Sequence, residues 1–266
     1  MKNSVRILGV RGSIPVCGPG FRKYGGDTVC ILVSLAGQDI LLDAGTGLLS
    51  LPPEQMDAPA LTLLLTHFHI DHLLGIPLCP YVLRPEKRLD LYSVPRAGMD
   101  AHRALSGLLS RPLWPVGPDS LPADLAFHPL PETMDLGPVR IETMEGDHPD
   151  GVTLFRLTGG GRSVAYLTDC TLTEENLPAV ARFVRGCDLL LCDGQYSKEE
   201  WPARSGFGHS TWTMAATLAA ESGAKQARIL HHDMTHTDDI LDEADREVRA
   251  ICPACALAVQ GEVISL

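Results

Sequence analysis

Short apolar runs closed by turn residues recur along the whole chain, at residues 29–35, 39–42, 61–65, 164–167, 189–192, 227–230 and 256–259. That is the pattern of buried strands separated by loops and intermittent helices. Helical patterning is rarer: a turn after His72 and residues 96–110, 173–184, 211–222 and 238–251. Thr171-Leu172-Thr173-Glu174 fits a capping box, and Thr237 precedes an acidic first turn, where carboxylates suit the helix dipole. Strands and helices occur in both halves with no linker between them, so the expectation is one α/β domain spanning residues 1–266. Residues 110–124 are the least regular stretch, with Pro112, Pro115, Pro118 and Pro122 punctuating Leu113, Trp114 and Val116. Such a loop serves either as a lid over a site or as plain cover.

Composition narrows the function classes. The 266 residues are 45% hydrophobic, enough for a sizeable core, and 22 Lys plus Arg stand against 33 Asp plus Glu for a formal charge of −11. An acidic chain without a basic stripe repels long polyanions, so no long nucleic acid is expected as a partner. A bound divalent cation could still attract a small phosphate ester locally. The first ten residues lack the apolar core and cleavage site of a secretion signal, and no run of about 18 apolar residues follows. The reading is a soluble, cytoplasmic chain with no membrane partner; a homodimer is left open. Eight cysteines, mostly standing singly, read as reduced thiols. Cys252-Pro253-Ala254-Cys255 has zinc-like spacing but no second pair to complete a site, and is read as two thiols leading into the last strand.

The chemistry concentrates in Thr66-His67-Phe68-His69-Ile70-Asp71-His72, directly after the apolar run 61–65. Three imidazoles and a carboxylate leave one loop at the end of a buried strand, a clustering that packing does not explain. Nitrogen and oxygen donors together suit zinc, iron or manganese.

This HxHxDH segment resembles the signature of the metallo-β-lactamase fold superfamily. The resemblance implies a four-layer αββα sandwich with mixed sheets and outer helices, and it extends over nearly the whole chain. Leu42-Asp43-Ala44-Gly45-Thr46-Gly47 is similar to the superfamily's preceding strand-to-turn motif, placing Asp43 to orient a ligating histidine. His148, Asp169 and His231 follow in the order of the remaining ligands. By resemblance, one metal takes His67, His69 and His148 and the other takes Asp71, His72 and His231. Asp169 bridges the two together with a water or hydroxide. His232, next to His231, could replace it. The implied cofactors are two divalent metal ions, zinc foremost, with manganese or iron as alternatives, and the implied chemistry is hydrolysis.

Two further segments point within the superfamily. Gly208-His209-Ser210-Thr211, opening a helix, resembles the His-Ser-Thr motif of its phosphodiesterase branch, which includes tRNA 3′-processing endonucleases and small cyclic phosphodiesterases. Asp193-Gly194-Gln195-Tyr196 occupies the place of that branch's acidic turn. The catalytic set so implied is Asp71, Asp193 and His209, with His209 held by Asp193 and protonating the leaving alkoxide; the plainer reading makes His209 and Ser210 capping residues. The tRNA-processing enzymes carry a long flexible arm between the positions of His148 and Asp169. Here the interval is short, and Gly159-Gly160-Gly161 reads as a tight hairpin turn. With the acidic charge, this favours a small phosphodiester as substrate, such as a cyclic nucleotide or a cyclic sugar phosphate. Arg11 either lines the pocket or forms a structural salt bridge. A carbonyl hydrolase acting on a lactam, lactone or thioester is the alternative, and leaves the His-Ser-Thr segment without a purpose.

Overall fold

The computed structural model describes residues 3–266. Its strands are β1 (Ser4–Gly9), β2 (Cys30–Leu35), β3 (Gln38–Leu42), β4 (Ala60–Leu64), β5 (Arg88–Ser93), β6 (Asp124–Pro129), β7 (Thr133–Leu136), β8 (Val139–Gly146), β9 (Val152–Gly159), β10 (Arg162–Leu167), β11 (Leu189–Asp193), β12 (Ala227–Leu230), β13 (Cys255–Leu257) and β14 (Val263–Ser265). The helices are α1 (Pro53–Asp57), α2 (Ala101–Leu108), α3 (Leu177–Phe183), α4 (Trp201–Arg204), α5 (Trp212–Ser222) and α6 (Asp238–Ile251). One sheet runs β14-β1-β2-β3-β4-β5-β6 and the other β13-β12-β11-β10-β9-β8-β7. Both mix parallel and antiparallel pairs.

Burial follows strand alternation. On β10, Val164 and Tyr166 join the core between the sheets, while Ala165 and Leu167 face the core under α3, α5 and α6. On β4, Leu64 faces the inter-sheet core, whereas Leu61 and Leu63 pack outward with Leu105 of α2. Both faces of these strands are covered, which is why they read as unbroken apolar runs. Three cores between four layers give the αββα sandwich that the motif resemblance implies.

Most of the expected elements form, with informative exceptions. The stretch expected to be helical at 96–110 is helical only from Ala101. Arg96 and Met99 close a turn through Ala97 and Gly98 at positive φ, and Asp100 caps the helix by accepting the Arg103 amide. The expected capping box at Thr171 and Glu174 does not form; the reciprocal pair is instead Thr173 and Asn176, and α3 starts at Leu177. The helical turn expected after His72 forms as the 3-10 turn Ile76–Leu78, and a second 3-10 turn, Ile70–His72, precedes it. The last apolar run pairs as strand over Cys255–Leu257. Gly160 and Gly161, both at positive φ, form the two-residue turn that joins β9 to β10, as expected. Among the described residues, no helix is long and apolar enough to cross a membrane.

Candidate metal centre

Parallel strands β3 and β4 of one sheet and β10, β11 and β12 of the other bring their carboxyl ends to one edge of the sandwich. Asp43, His67, Asp169, Asp193 and His231 stand at those ends, and His148 comes from the turn between β8 and β9. Three of these positions carry left-handed backbone at non-glycine residues: Asp43 (φ 57), Asp169 (φ 52) and His231 (φ 66). Each such conformation costs on the order of 1–3 kcal/mol and is held by its surroundings, a pattern concentrated at functional sites.

The side chains expected from the sequence converge. His67, His69, His148 and Asp169 form one group of potential donors, and Asp71, His72, Asp169 and His231 form a second, with Asp169 common to both. His148 Nε2 lies 3.1 Å from His69 Nδ1. Asp169 Oδ1 lies 3.3 Å from His72 Nε2 and 3.1 Å from His231 Nε2, and Asp71 Oδ2 lies 3.3 Å from His231 Nε2. All are buried except His69, which is half-buried.

The outer nitrogens of four rings have partners that fix which edge faces inward. His67 Nδ1 is 2.9 Å from Thr66 Oγ1, which itself donates to Asp43. His72 Nδ1 is 2.9 Å from Asp43 Oδ2, His148 Nδ1 is 2.8 Å from the Gly208 carbonyl, and His231 Nδ1 is 3.1 Å from Gln195 Oε1. Asp43 is further held by the Thr66 amide and the Tyr166 hydroxyl. With the Nδ1 edges turned to these outward partners, the Nε2 edges point into the cluster. His67 Nε2 and His72 Nε2 are buried without a hydrogen-bond partner, the nearest carboxylate oxygens standing between 3.3 and 3.7 Å away. Buried, orphaned, convergent nitrogens beside buried carboxylates fit divalent cations.

The electrostatics agree. Burial opposes protonation of His72 and His231, but Asp169 and Asp71 outweigh it, pushing His72 well above the ordinary histidine range and His231 to about 9. Burial also works against charge on Asp71 and Asp169, yet the surrounding imidazoles hold both carboxyls well below the usual range. His67, His69 and His148 are held down, chiefly by burial. The pocket thus selects for positive charge between its carboxylates.

Asp193 and His209 meet as the sequence suggests: His209 Nδ1 is 2.9 Å from Asp193 Oδ2. The His209 ring stacks on His231 at 4.9 Å and meets His148 edge-on at 5.2 Å, so it spans both donor groups. The capping reading fails. Thr211 caps α5 through the Met214 amide, while Ser210 Oγ ties the loop after Asp169 by donating to the Cys170 carbonyl and accepting the Leu172 amide. His232 turns away, with Nε2 on the Ala258 carbonyl and burial pulling its pKa down to about 3. Neither expectation for Arg11 holds. Its buried guanidinium donates to the carbonyls of Gly25, Asp233 and His236, bracing the loops beneath the site. All eight cysteines are free, and Cys252 and Cys255 are buried. In residues 110–124, Trp114 packs on the core beside α2 while Leu113 is exposed.

Several contributors were not read from the sequence. Thr66, Tyr166 and Gln195 carry common side chains whose role depends on partners distant in the chain. Gly12 and Gly208 leave room for rings, because a Cβ at either would overlap His231 or His148 respectively. The glycine in Gly208-His209-Ser210-Thr211 was the available signal.

A family model described as a beta-lactamase superfamily domain matches residues 38–232. Ribonuclease Z of Bradyrhizobium sp. (strain ORS 278) is 29% identical, over 86% of this chain and 90% of that protein. Among solved structures, the metallo-beta-lactamase fold protein YhfI from Bacillus subtilis is similar with a TM-score of 0.74 at 19% identity, covering 99% of both chains. A diphosphatase from the PhnP family gives 0.72 at 18% identity, covering 100% of this chain and 98% of that one. The structural likenesses support the fold, and the family match takes in the strand ends bearing both donor groups: the chain belongs to the beta-lactamase superfamily.

Proposed function

We propose that this metal-dependent hydrolase is a dinuclear phosphodiesterase for a small phosphodiester, built as one domain over residues 1–266. In this reading one ion is held by His67, His69 and His148, the other by Asp71, His72 and His231, and Asp169 is shared. Two divalent ions, zinc foremost, would acidify a shared water, polarise the phosphoryl oxygens and stabilise the leaving oxygen.

The chain's own residues supply the rest. Asp43 accepts from Thr66 and Tyr166 and stands 2.9 Å from His72 Nδ1 as its charge partner, which keeps His72 Nε2 and, through Thr66, His67 Nε2 turned inward. Asp193 holds the proton on His209 Nδ1, so that Nε2 is the ring atom available to carry a proton to the leaving alkoxide. The observation that carries the phosphodiester reading is this Asp193–His209 pair, stacked against His231 at the edge of both groups. Lactam or thioester hydrolysis gives it no comparable task.

The small-substrate part is supported by the acidic charge and by the tight β9–β10 hairpin filling the interval from His148 to Asp169. RNA is the second reading, because the Bradyrhizobium relative is named ribonuclease Z. The test is metal analysis of the purified protein, followed by assays on bis(p-nitrophenyl) phosphate, cyclic nucleotides, a precursor tRNA with a 3′ trailer, nitrocefin and a thioester. Phosphodiester turnover favouring the small esters is expected. Preferred cleavage of the precursor would move the substrate to RNA, and carbonyl turnover alone would overturn the reading.

A further inference from the structure

We propose that Gln195 is a positioning residue that fixes the orientation of His231 and thereby sets how tightly the Asp71–His72–His231 group holds its ion; this rests on the two-ion reading above. Gln195 is buried just past the end of β11, and its amide group is wedged between three side chains of different character. Oε1 lies 3.1 Å from His231 Nδ1. Nε2 lies 3.4 Å from Asp233 Oδ2 and 3.5 Å from Ser13 Oγ.

The orientation of the amide follows from its neighbours. Asp233 Oδ2 also receives Arg204 NH1 at 3.1 Å, and its carboxylate can only accept. Turning the Gln195 amide over would press its carbonyl oxygen against that carboxylate, so the NH2 faces Asp233 and the carbonyl faces His231. His231 must then present an N–H at Nδ1, which leaves Nε2 toward Asp71 Oδ2 and Asp169 Oδ1, the atom that would meet an ion held there once its proton is given up. The ring is also confined sterically, since a Cβ at Gly12 would overlap it. Ser13, beside that glycine, donates its amide to Asp71 Oδ2 at 2.7 Å. The Gln195 backbone amide separately donates to Asp193 Oδ1 at 3.0 Å. Replacing the side chain therefore disturbs His231 and leaves the backbone contact to the Asp193–His209 pair intact.

The test titrates zinc alone into the chelator-stripped full-length chain, in competition with a chromophoric chelator, for the native protein, Gln195→Met and Gln195→Glu. The native chain is expected to take two equivalents. Gln195→Met should weaken one of them by about 10–100-fold and leave the other unchanged, the usual loss when a ligand's hydrogen-bond partner is removed. Gln195→Glu keeps an acceptor for Nδ1–H but sets a second carboxylate oxygen against Asp233 Oδ2, so it should recover only part of the affinity. Nitrogen-15 NMR of labelled histidines should show the His231 Nδ1–H tautomer in the zinc-loaded native chain and its loss in Gln195→Met. Unchanged affinity for both equivalents overturns the proposal. So does a uniform weakening of both with a lowered thermal midpoint, which would mark a merely structural role. Fewer than two equivalents on the native chain overturns the two-ion reading itself, and is read before any variant is made.

Discussion

His67, His69, Asp71 and His72 leave a single loop after β4, whereas His148, Asp169 and His231 arrive from three separated strand ends or turns of the other sheet. The first set is arranged by local geometry: a 3-10 turn at Ile70–His72 places Asp71 and His72 in succession while the extended backbone at His69 keeps its ring apart. The second is arranged by topology, because β10, β11 and β12 run parallel and so end at one edge. Their partners differ accordingly. The contiguous set leans on Thr66 and Asp43, next to it in the same sheet, while the dispersed set leans on Gly208 and Gln195 from loops of its own sheet. Asp169 alone belongs to both donor groups.

Asp169→Ala therefore tests the joint between the two regions and should have the largest effect. Both metal equivalents should be weakened, and phosphodiester turnover should fall by on the order of 10³-fold or more, with metal content after dialysis and initial rates as the readouts. His148→Ala should cost only one equivalent. If both variants lose the same single equivalent, the shared position of Asp169 is wrong. His209→Ala comes next: metal content unchanged, turnover down by about 10²–10⁴-fold on an ester with an alkoxide leaving group. The loss should be much smaller on bis(p-nitrophenyl) phosphate, whose phenolate leaves without a proton. An equal loss on both substrates would remove His209 from the role of acid.

Gly208→Ala probes how the dispersed region is packed. Gly208 sits at φ 88, its carbonyl faces His148 Nδ1, and an added Cβ would overlap the His148 ring. The variant should lose about 1–3 kcal/mol of stability in a thermal melt and weaken one metal equivalent. A change with no effect on metal would mean that His148 tolerates displacement.

The same contrast explains what could be read from the sequence. The HxHxDH loop was legible because its donors are neighbours, and the strands because burial on both faces leaves continuous apolar runs. His148, Asp169, His231, Asp193 and His209 were legible only through motif resemblance, since nothing local says that these strand ends meet. Gln195, Thr66 and Tyr166 escaped because a buried amide or hydroxyl gains its meaning from the partner it faces. Arg11 differs for the complementary reason: a charged side chain suggests a carboxylate or a pocket, but here its Nε and NH1 donate to three carbonyl oxygens. The helix starts at Ala101 and Leu177 were displaced because Asp100 and the Thr173–Asn176 pair compete locally for the backbone amides.

The smallest expected effect separates the two ends of β11, where one carboxylate serves the site and the other the fold. Asp193, at the carboxyl end, holds His209; Asp188, just before the strand, accepts from Lys225, Arg162 and the Ser163 amide. Partial burial works against ionisation of Asp188, but those donors outweigh it and bring its pKa down to about 2. A carboxyl depressed on folding contributes stability that is fully present above its unfolded pKa of roughly 4 and is lost as pH falls toward the folded value. Asp188→Asn should thus cost about 1 kcal/mol near neutral pH, the pair being partly solvent-screened, and progressively less between pH 4 and the folded value of about 2. Metal stoichiometry and turnover should match the native chain, because the lesion lies at the end of the strand opposite the donors. A loss of metal in Asp188→Asn would mean that the two ends of β11 are coupled through the strand, and that the site depends on the fold's far edge as well as its own.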